Sequence, residues 1–258
     1  MQERKKSEYP GRVYWYKQVE STNTTARNLA GQGAGEWTAV VAFQQTAGRG
    51  RYRRRWLSSP GKGIYLSVVL RPRVQPTEVN LINLSTALVV ADFLEKLTNA
   101  VENPITVGLK WPNDVLVNHR KIAGILLETG YRQQQVDFVV VGIGINLNHA
   151  EADFPEELRH QATSLFMETG KEWDVPATTT NFLSDFYRGM HRYLSTRFAH
   201  VLDLYRQRLL FRNETIQVVV NNSPLKGILK DVDEQGFLLL QTDHGILRIT
   251  SGEVGVGR

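Results

Sequence analysis

ITVGLKWPNDVLVNHRKIAGILLET, residues 105–129, decides how the chain is to be folded. Apolar and small or polar residues alternate up to Lys110, as in a half-buried strand. Pro112 then removes a backbone donor and restricts Trp111, so the chain must bend there. Alternation resumes at "DVLV", "NHR" supplies a turn, and "KIAGILLET" returns. The reading is strand, proline-directed bend, hairpin and strand, which places this segment in an antiparallel part of a sheet.

Working outward, "VDFVVVGIGINLN" (136–148) is a further buried strand that ends in small residues and delivers Asn146. Upstream, "TAVVAFQQ" (38–45) and "GIYLSVVLRP" (63–72) read as strands flanking an arginine-rich loop, and "VYWYKQV" (13–19) as a short strand. Between these, "STNTTARNLAGQG" (21–33) reads as a helix capped by Ser21 or Thr22 and ended by glycine. Residues 80–98 show helical apolar spacing over a length no strand reaches. A second amphipathic helical stretch is expected from Asn181 to Phe211. Beyond it the texture changes to short strands and turns, "ETIQVVV", "LKGILKDV", "FLLLQT" and "ILRIT". The expected division is 1–212 and a small all-β unit over 213–258.

With 258 residues, 41% hydrophobic and 22% charged, the chain has an ordinary globular composition. A formal charge of +5 mildly favours anionic partners and does not by itself point to nucleic acid. There is no cysteine, which removes disulfides, thiolate nucleophiles and sulfur-bound zinc. The six histidines form no pair at metal-ligand spacing. "MQERKKSEYP" is charged and lacks the apolar core of a secretory signal, and no apolar run approaches the roughly 20 residues that span a bilayer. The expectation is a cytoplasmic protein with no membrane partner. "GKG" at Gly61 lacks the rest of a phosphate-binding P-loop, and "GQGAG" at Gly31 follows a helix instead of a strand.

Two clusters carry chemistry. In "QQTAGRGRYRRRW", Gln44–Trp56, Gly48 and Gly50 permit close backbone approach, while Arg49, Arg51 and Arg54 offer paired donors to carboxylate or phosphate. Trp56 adds a flat face for a purine. A DNA reader would bring a recognition helix or a broad basic face. A basic loop between strands fits a clamp for a small anion better. In the second cluster, Lys110, Asp114 and Lys121 converge at one end of the sheet, with Gly124 close behind; exposed hairpin lysines and a turn-forming aspartate are the bland alternative.

Taken in order, "ESTN", "QQTAGRGR…RRRW", "KWPNDVLV…RKIAGILLE" and "GIGINLN" closely resemble the biotin–protein ligases, from Val19 to about Asn148. The resemblance implies an α+β fold: a mixed β-sheet flanked by helices, of class II synthetase-like type, with a small C-terminal SH3-like β-barrel. It implies activation of biotin by ATP and Mg²⁺ to biotinyl-5′-AMP, then transfer to a lysine of the biotin carrier domain of a carboxylase. Ser21, Thr22, Asn23, Gln45, Gly48 and Arg49 would meet biotin. Arg51, Arg54, Trp56, Asn113 and Asn146 would meet the nucleotide. Lys121 would contact both the biotin carboxylate and the α-phosphate, with Gly124 admitting the backbone and Asp114 organising Lys121 or the metal. No protein metal site is implied, since Mg²⁺ would ride mainly on the ATP phosphates. Some members are also repressors with an N-terminal helix-turn-helix. Only about twenty residues precede "ESTN" here, so the ligase-only form is expected, as a monomer or homodimer without nucleic acid.

One position departs from the family loop, Gly-Arg-Gly-Arg-x-Gly-Arg-x-Trp: Arg53 stands where the third glycine belongs. The loop is expected to be mobile when empty and ordered over the adenylate. The rival activities are lipoate or octanoate ligation, which shares the acyl-adenylate logic, and a biotin-responsive regulator.

Overall fold

The computed structural model describes residues 8–99, 105–220 and 223–256. Most of the charged start that argued against a secretory signal lies outside the described residues. Strands β1 (Val13–Tyr16), β2 (Ala39–Ala42), β3 (Gly63–Leu70), β4 (Val107–Lys110), β5 (Asp114–Val117), β6 (Arg120–Arg132) and β7 (Gln135–Asn146) form one sheet, in the order β1-β2-β3-β7-β6-β5-β4. β1 is parallel to β2 and every other neighbouring pair is antiparallel, so the sheet is mixed, as expected. The bend at Trp111–Pro112 is a cis peptide.

Helices α1 (Thr22–Gly31), α2 (Val79–Thr98), α3 (Leu165–Thr169), α4 (Val175–Ser195) and α5 (Val201–Arg208) cover the sheet unequally. Successive strand residues face opposite sides. On β7, Val139, Val141, Ile143 and Ile145 enter the main core with α2 and α4, whereas Phe138 and Val140 meet Ala26 and Ala30 of α1. Each fully buried aliphatic side chain contributes about 1.5–3 kcal/mol, so a slip by one residue would exchange the two faces at great cost. The same parity puts Gly142, Gly144 and Asn146 on the α1 side. α2 is long and apolar enough to cross a membrane by length and composition. However, 72% of its apolar window is buried inside the protein, as befits a core helix.

A bulge determines where the lysine of β6 points. Val115 pairs with Ala123 but Leu116 pairs with Lys121, leaving Ile122 as the extra residue. Ile122 and Ala123 are both buried in the main core. Lys121 and Gly124 therefore both reach the α1 side, which strict alternation would forbid.

The helical stretch expected from Asn181 to Phe211 begins earlier and is broken. Asp174 caps α4, its carboxylate accepting from the Ala177 N–H at 3.0 Å. Between α4 and α5 the chain passes through left-handed Arg197, Phe198 and His200, which turns it so that Phe198 becomes buried. Neither glycine nor proline marks that break.

β8 (Thr215–Val220), β9 (Ser223–Val232), β10 (Leu238–Thr242), β11 (Gly245–Ile249) and β12 (Glu253–Val256) form a second, antiparallel sheet in the order β11-β10-β9-β8-β12. This is consistent with the expected SH3-like barrel, although no pairing of β11 with β12 closes the sheet among the described residues. β12 was not legible in the closing glycine-rich sequence. The unit is seated on the larger sheet: the Trp111 indole N–H donates to the Gly236 carbonyl (3.0 Å), and Ile216, Val218 and Leu240 extend the main core.

Candidate active site

A cavity of about 580 Å³ opens on the α1 side of the large sheet, between the arginine loop, β5 to β7 and the tip of β12. Its inner end is lined by uncharged polar side chains, with the Glu128 carboxylate behind them. The Thr22 N–H donates to Gln45 Oε1 (2.8 Å), which fixes the amide so that Nε2 donates to Ser58 (2.9 Å). Ser67 lies 2.8 Å from the Thr22 hydroxyl and 2.6 Å from Asn23 Oδ1, while Asn23 Nδ2 donates to Glu128 (2.9 Å) and the Leu126 carbonyl (3.2 Å). Ser21 occupies the N-cap position of α1, but its hydroxyl makes no capping bond and lines the cavity. The expected capping role is thus not used. That hydroxyl and the second amide hydrogen of Gln45 are left to a ligand.

The middle of the cavity is made of glycine and tryptophan. Cβ atoms at Gly144 or Gly124 would collide with the Trp56 indole, and one at Gly142 with Asn23. Trp56 therefore lies flat against β6 and β7 where only hydrogen side chains permit it. Its Nε1 is buried without a hydrogen-bond partner, an unpaired donor in the cavity wall.

Cations gather at the outer end. Lys121 pairs with Asp114 at 2.6 Å and sits 5.4 Å from the Trp56 ring centroid. Arg54 pairs with Glu253 of β12, while Arg49 reaches back to Glu128 (2.6 Å), the carboxylate that also holds Asn23 at the inner end. Arg51 donates to Asn113 Oδ1 (3.3 Å) and to the Gly252 carbonyl (3.0 Å). Lys110, on β4, lines the same end; burial lowers its pKa, against the opposing pull of Asp114 and Glu253. A neutral polar head, an apolar waist and a cationic mouth suit a ligand with a polar uncharged ring, an apolar chain and an anionic end.

Residues 15–146 match the model of the biotin/lipoate A/B protein ligase family, and residues 212–257 match that of the biotin protein ligase C-terminal domain. The chain belongs to this family. It is 35% identical to the bifunctional ligase/repressor of Bacillus subtilis over 98% of its own length and 76% of that protein. It is 32% identical to the biotin–[acetyl-CoA-carboxylase] ligase of Paracoccus denitrificans over 93% of this chain and 98% of that protein. Among solved structures, the biotin protein ligase from Aquifex aeolicus in complex with biotin and ATP superposes with a TM-score of 0.79. That match covers 96% of this chain and 99% of the other, at 33% identity.

Of the residues singled out by this ligase family's motifs, Ser21, Thr22, Asn23, Gln45, Arg49, Arg51, Arg54, Trp56, Asn113, Asp114, Lys121, Gly124 and Asn146 all line the one cavity. Gly48 does not. It is buried behind the loop, where a Cβ would meet the Trp56 carbonyl at 2.6 Å and Ser58 Oγ at 2.9 Å, so its work is to let Trp56 pack. Asn23 and Asn146 line the wall with their amides already committed, Asn146 Nδ2 donating to the Thr163 carbonyl (2.9 Å). Asn113 is likewise tied, its Nδ2 donating to the Ile125 carbonyl (2.8 Å).

The departure at Arg53 has a structural counterpart. The loop closes through a single turn of 3-10 helix, Arg51–Arg53, in which Tyr52 (φ 53°) and Arg53 (φ 60°) are both left-handed. Arg53 thus stands in the conformation for which the family's glycine is suited. Four contributors escaped the sequence reading. Glu128 gathers Asn23, Arg49 and, at 3.6 Å, Arg27. Ser67 supports the polar head from β3. Gly142 and Gly144 carry the waist. Only the parity of β7, counted back from Asn146, pointed to the last two.

Proposed function

We infer that this protein is a biotin–protein ligase, which activates biotin with ATP as biotinyl-5′-AMP and transfers the biotinyl group to a lysine of the biotin carrier domain of a carboxylase. The observation that carries this is the graded cavity. A ureido ring is neutral and rich in donors and acceptors, as is the end made by Ser21, Thr22 and Gln45. The valeryl chain matches the Trp56–glycine waist, and its carboxylate falls beside Lys121.

In the first half-reaction a carboxylate oxygen attacks the α-phosphorus, the bond to the β-phosphate oxygen breaks, and pyrophosphate leaves with the electron pair. Two unit charges about 4 Å apart repel by roughly 4 kcal/mol at an effective dielectric near 20. Lys121 and the loop arginines offset that repulsion and the charge that grows in the transition state. Asp114 holds the Lys121 ammonium on the cavity side of the bulge. Mg²⁺ fits this donor set only as a phosphate-held ion. No group of three His, Asp or Glu converges among the described residues, while Asp114 is one carboxylate beside the expected phosphates. When bound, the ion neutralises phosphate charge.

In the second half-reaction the neutral amine of the acceptor lysine attacks the anhydride carbonyl and AMP departs. At a pKa near 10.4, about one amine in a thousand is neutral near pH 7.4, so holding the adenylate dry until that amine arrives matters. The arginine loop covers the cavity and Glu253 holds its outer rim, which suits a closing element. In this reading residues 1–212 carry the biotin and ATP site, residues 213–258 supply that rim, and the protein works in the cytoplasm on a carrier-domain partner, without nucleic acid or membrane.

The test is the intact mass of a biotin carrier domain after incubation with the protein, MgATP and either biotin or lipoate. A gain of one biotinyl group, lost in Lys121→Ala, is expected. A gain with lipoate alone would keep the adenylate chemistry and overturn the assignment of the polar head. Biotin binding with no gain from either acid would favour the regulator.

A further inference from the structure

Four residues of the cavity floor lie in one cross-strand row. Gly144 of β7 pairs with Gly124 of β6, Gly124 with Asp114 of β5, and Asp114 with Lys110 of β4. Neighbouring strands are about 4.8 Å apart, so the row runs roughly 14 Å from the glycine seat of Trp56 to Lys110. Lys121 projects over the middle of it, in contact with Asp114. Lys110 differs from Lys121, Arg49 and Arg54, each of which holds a carboxylate: among the described residues it has neither a carboxylate within ion-pair distance nor a hydrogen bond. A half-buried ammonium without a partner is costly to keep, and sites retain one where a ligand supplies the missing charge.

We propose that Lys110 binds the pyrophosphate that leaves ATP during adenylate formation. This rests on the ligase reading above. Displacement at phosphorus runs in line, so the leaving group departs opposite the attacking carboxylate. The carboxylate comes from the glycine end of the row and the α-phosphate sits at Lys121, which directs the β- and γ-phosphates toward β4. Beside Arg51, which is already tied to Asn113 and the Gly252 carbonyl, Lys110 is the unpaired cation at that end. Arg54 and Glu253 flank it, so a triphosphate entering there finds one unpaired cation and one that it must take from Glu253. Adenosine then lies to the side, toward Asn146 and Phe154.

The experiment is biotin-dependent ATP–pyrophosphate exchange by the full chain, for the wild type and for Lys110→Met, Lys110→Gln and Lys110→Arg. Biotin binding without nucleotide and transfer from supplied biotinyl-5′-AMP to the carrier domain are measured beside it. Removing the charge is expected to lower kcat/KM for ATP roughly ten- to hundredfold and to raise the KM for pyrophosphate similarly, the usual range for a hydrogen bond to a charged group. Biotin affinity and transfer from the supplied adenylate stay within about twofold, and arginine restores part of the pyrophosphate affinity. Unchanged pyrophosphate dependence, or an equal loss in transfer from the adenylate, overturns the proposal. If Lys110→Met no longer binds biotin, Lys110→Gln is judged by the same criteria. Failure of the wild type to show biotin-dependent exchange would instead remove the ligase reading itself.

Discussion

Replacing Arg53 by glycine probes the arginine loop where this chain departs from its family. The left-handed backbone at Arg53 costs an L-residue about 1–2 kcal/mol relative to glycine, and its exposed guanidinium holds no carboxylate among the described residues. Glycine also gains about 0.4–1 kcal/mol of entropy in the open loop, which opposes closure. The surplus is about 0.5–1 kcal/mol in favour of the closed conformation, equivalent to roughly two- to fivefold in a closed–open equilibrium. Arg53→Gly should therefore bind a non-hydrolysable biotinyl-adenylate analogue two- to fivefold more tightly than the wild type, by slower dissociation, with binding of biotin alone little changed. Arg53→Ala is the control, because alanine loses the charge but keeps the Cβ that disfavours this backbone; it should show no gain. Titration calorimetry gives the affinities and stopped-flow displacement the off-rates. Equal tightening by alanine would make the effect one of charge, and weaker binding by Arg53→Gly would show that the bound loop does not use the left-handed turn seen here. Either result refutes the argument.

Gly144→Ala places a methyl group against the Trp56 indole, so calorimetry should show biotin binding weakened at least tenfold and thermal unfolding a stability loss of about 1–3 kcal/mol. Glu253→Gln frees Arg54 from its partner; tryptic cleavage in the loop of the ligand-free protein should accelerate by two- to fivefold, the order expected for an exposed pair, and the difference should vanish in high salt. Lys121→Ala should reduce adenylate formation about a hundredfold or more in pyrophosphate exchange while leaving the melting temperature within a few degrees. Burial holds His149 near a pKa of about 4, below its ordinary 6.5, with Asp153 pulling the other way. The neutral ring is then favoured in the fold, so its contribution is complete above pH 6.5 and is lost as pH falls toward 4, up to about 3 kcal/mol. His149→Phe should flatten that part of the stability–pH curve measured by urea unfolding.

What could be read from the sequence was whatever local chemistry dictates, and what could not was whatever packing arbitrates. Alternation in 105–129 and 136–148 identified β4 to β7 because each strand has one face that must avoid water, and Pro112 marked the bend because a missing donor admits few alternatives. The convergence of Lys110, Asp114 and Lys121 also followed from hairpin geometry. Yet Lys121 reaches the cavity only through the bulge at Ile122, and no residue type announces a bulge when two consecutive apolar side chains fit the core equally well. The break at Arg197–His200 is similar: the chain passes through three left-handed residues and buries Phe198, and propensity carries no trace of it. Glu128 escaped for a different reason. It is one more acidic residue on a strand until the fold brings Asn23, from α1, and Arg49, from the loop, to the same carboxylate. A glycine's purpose has the same limit, for Gly48 and Gly124 look alike in sequence and differ only in whether Trp56 presents its backbone or its ring to them. Lys110 shows the limit most sharply: its spacing from Lys121 made the two lysines equivalent, and only the pairing of Lys121 with Asp114 leaves Lys110 as the cation still in want of an anion.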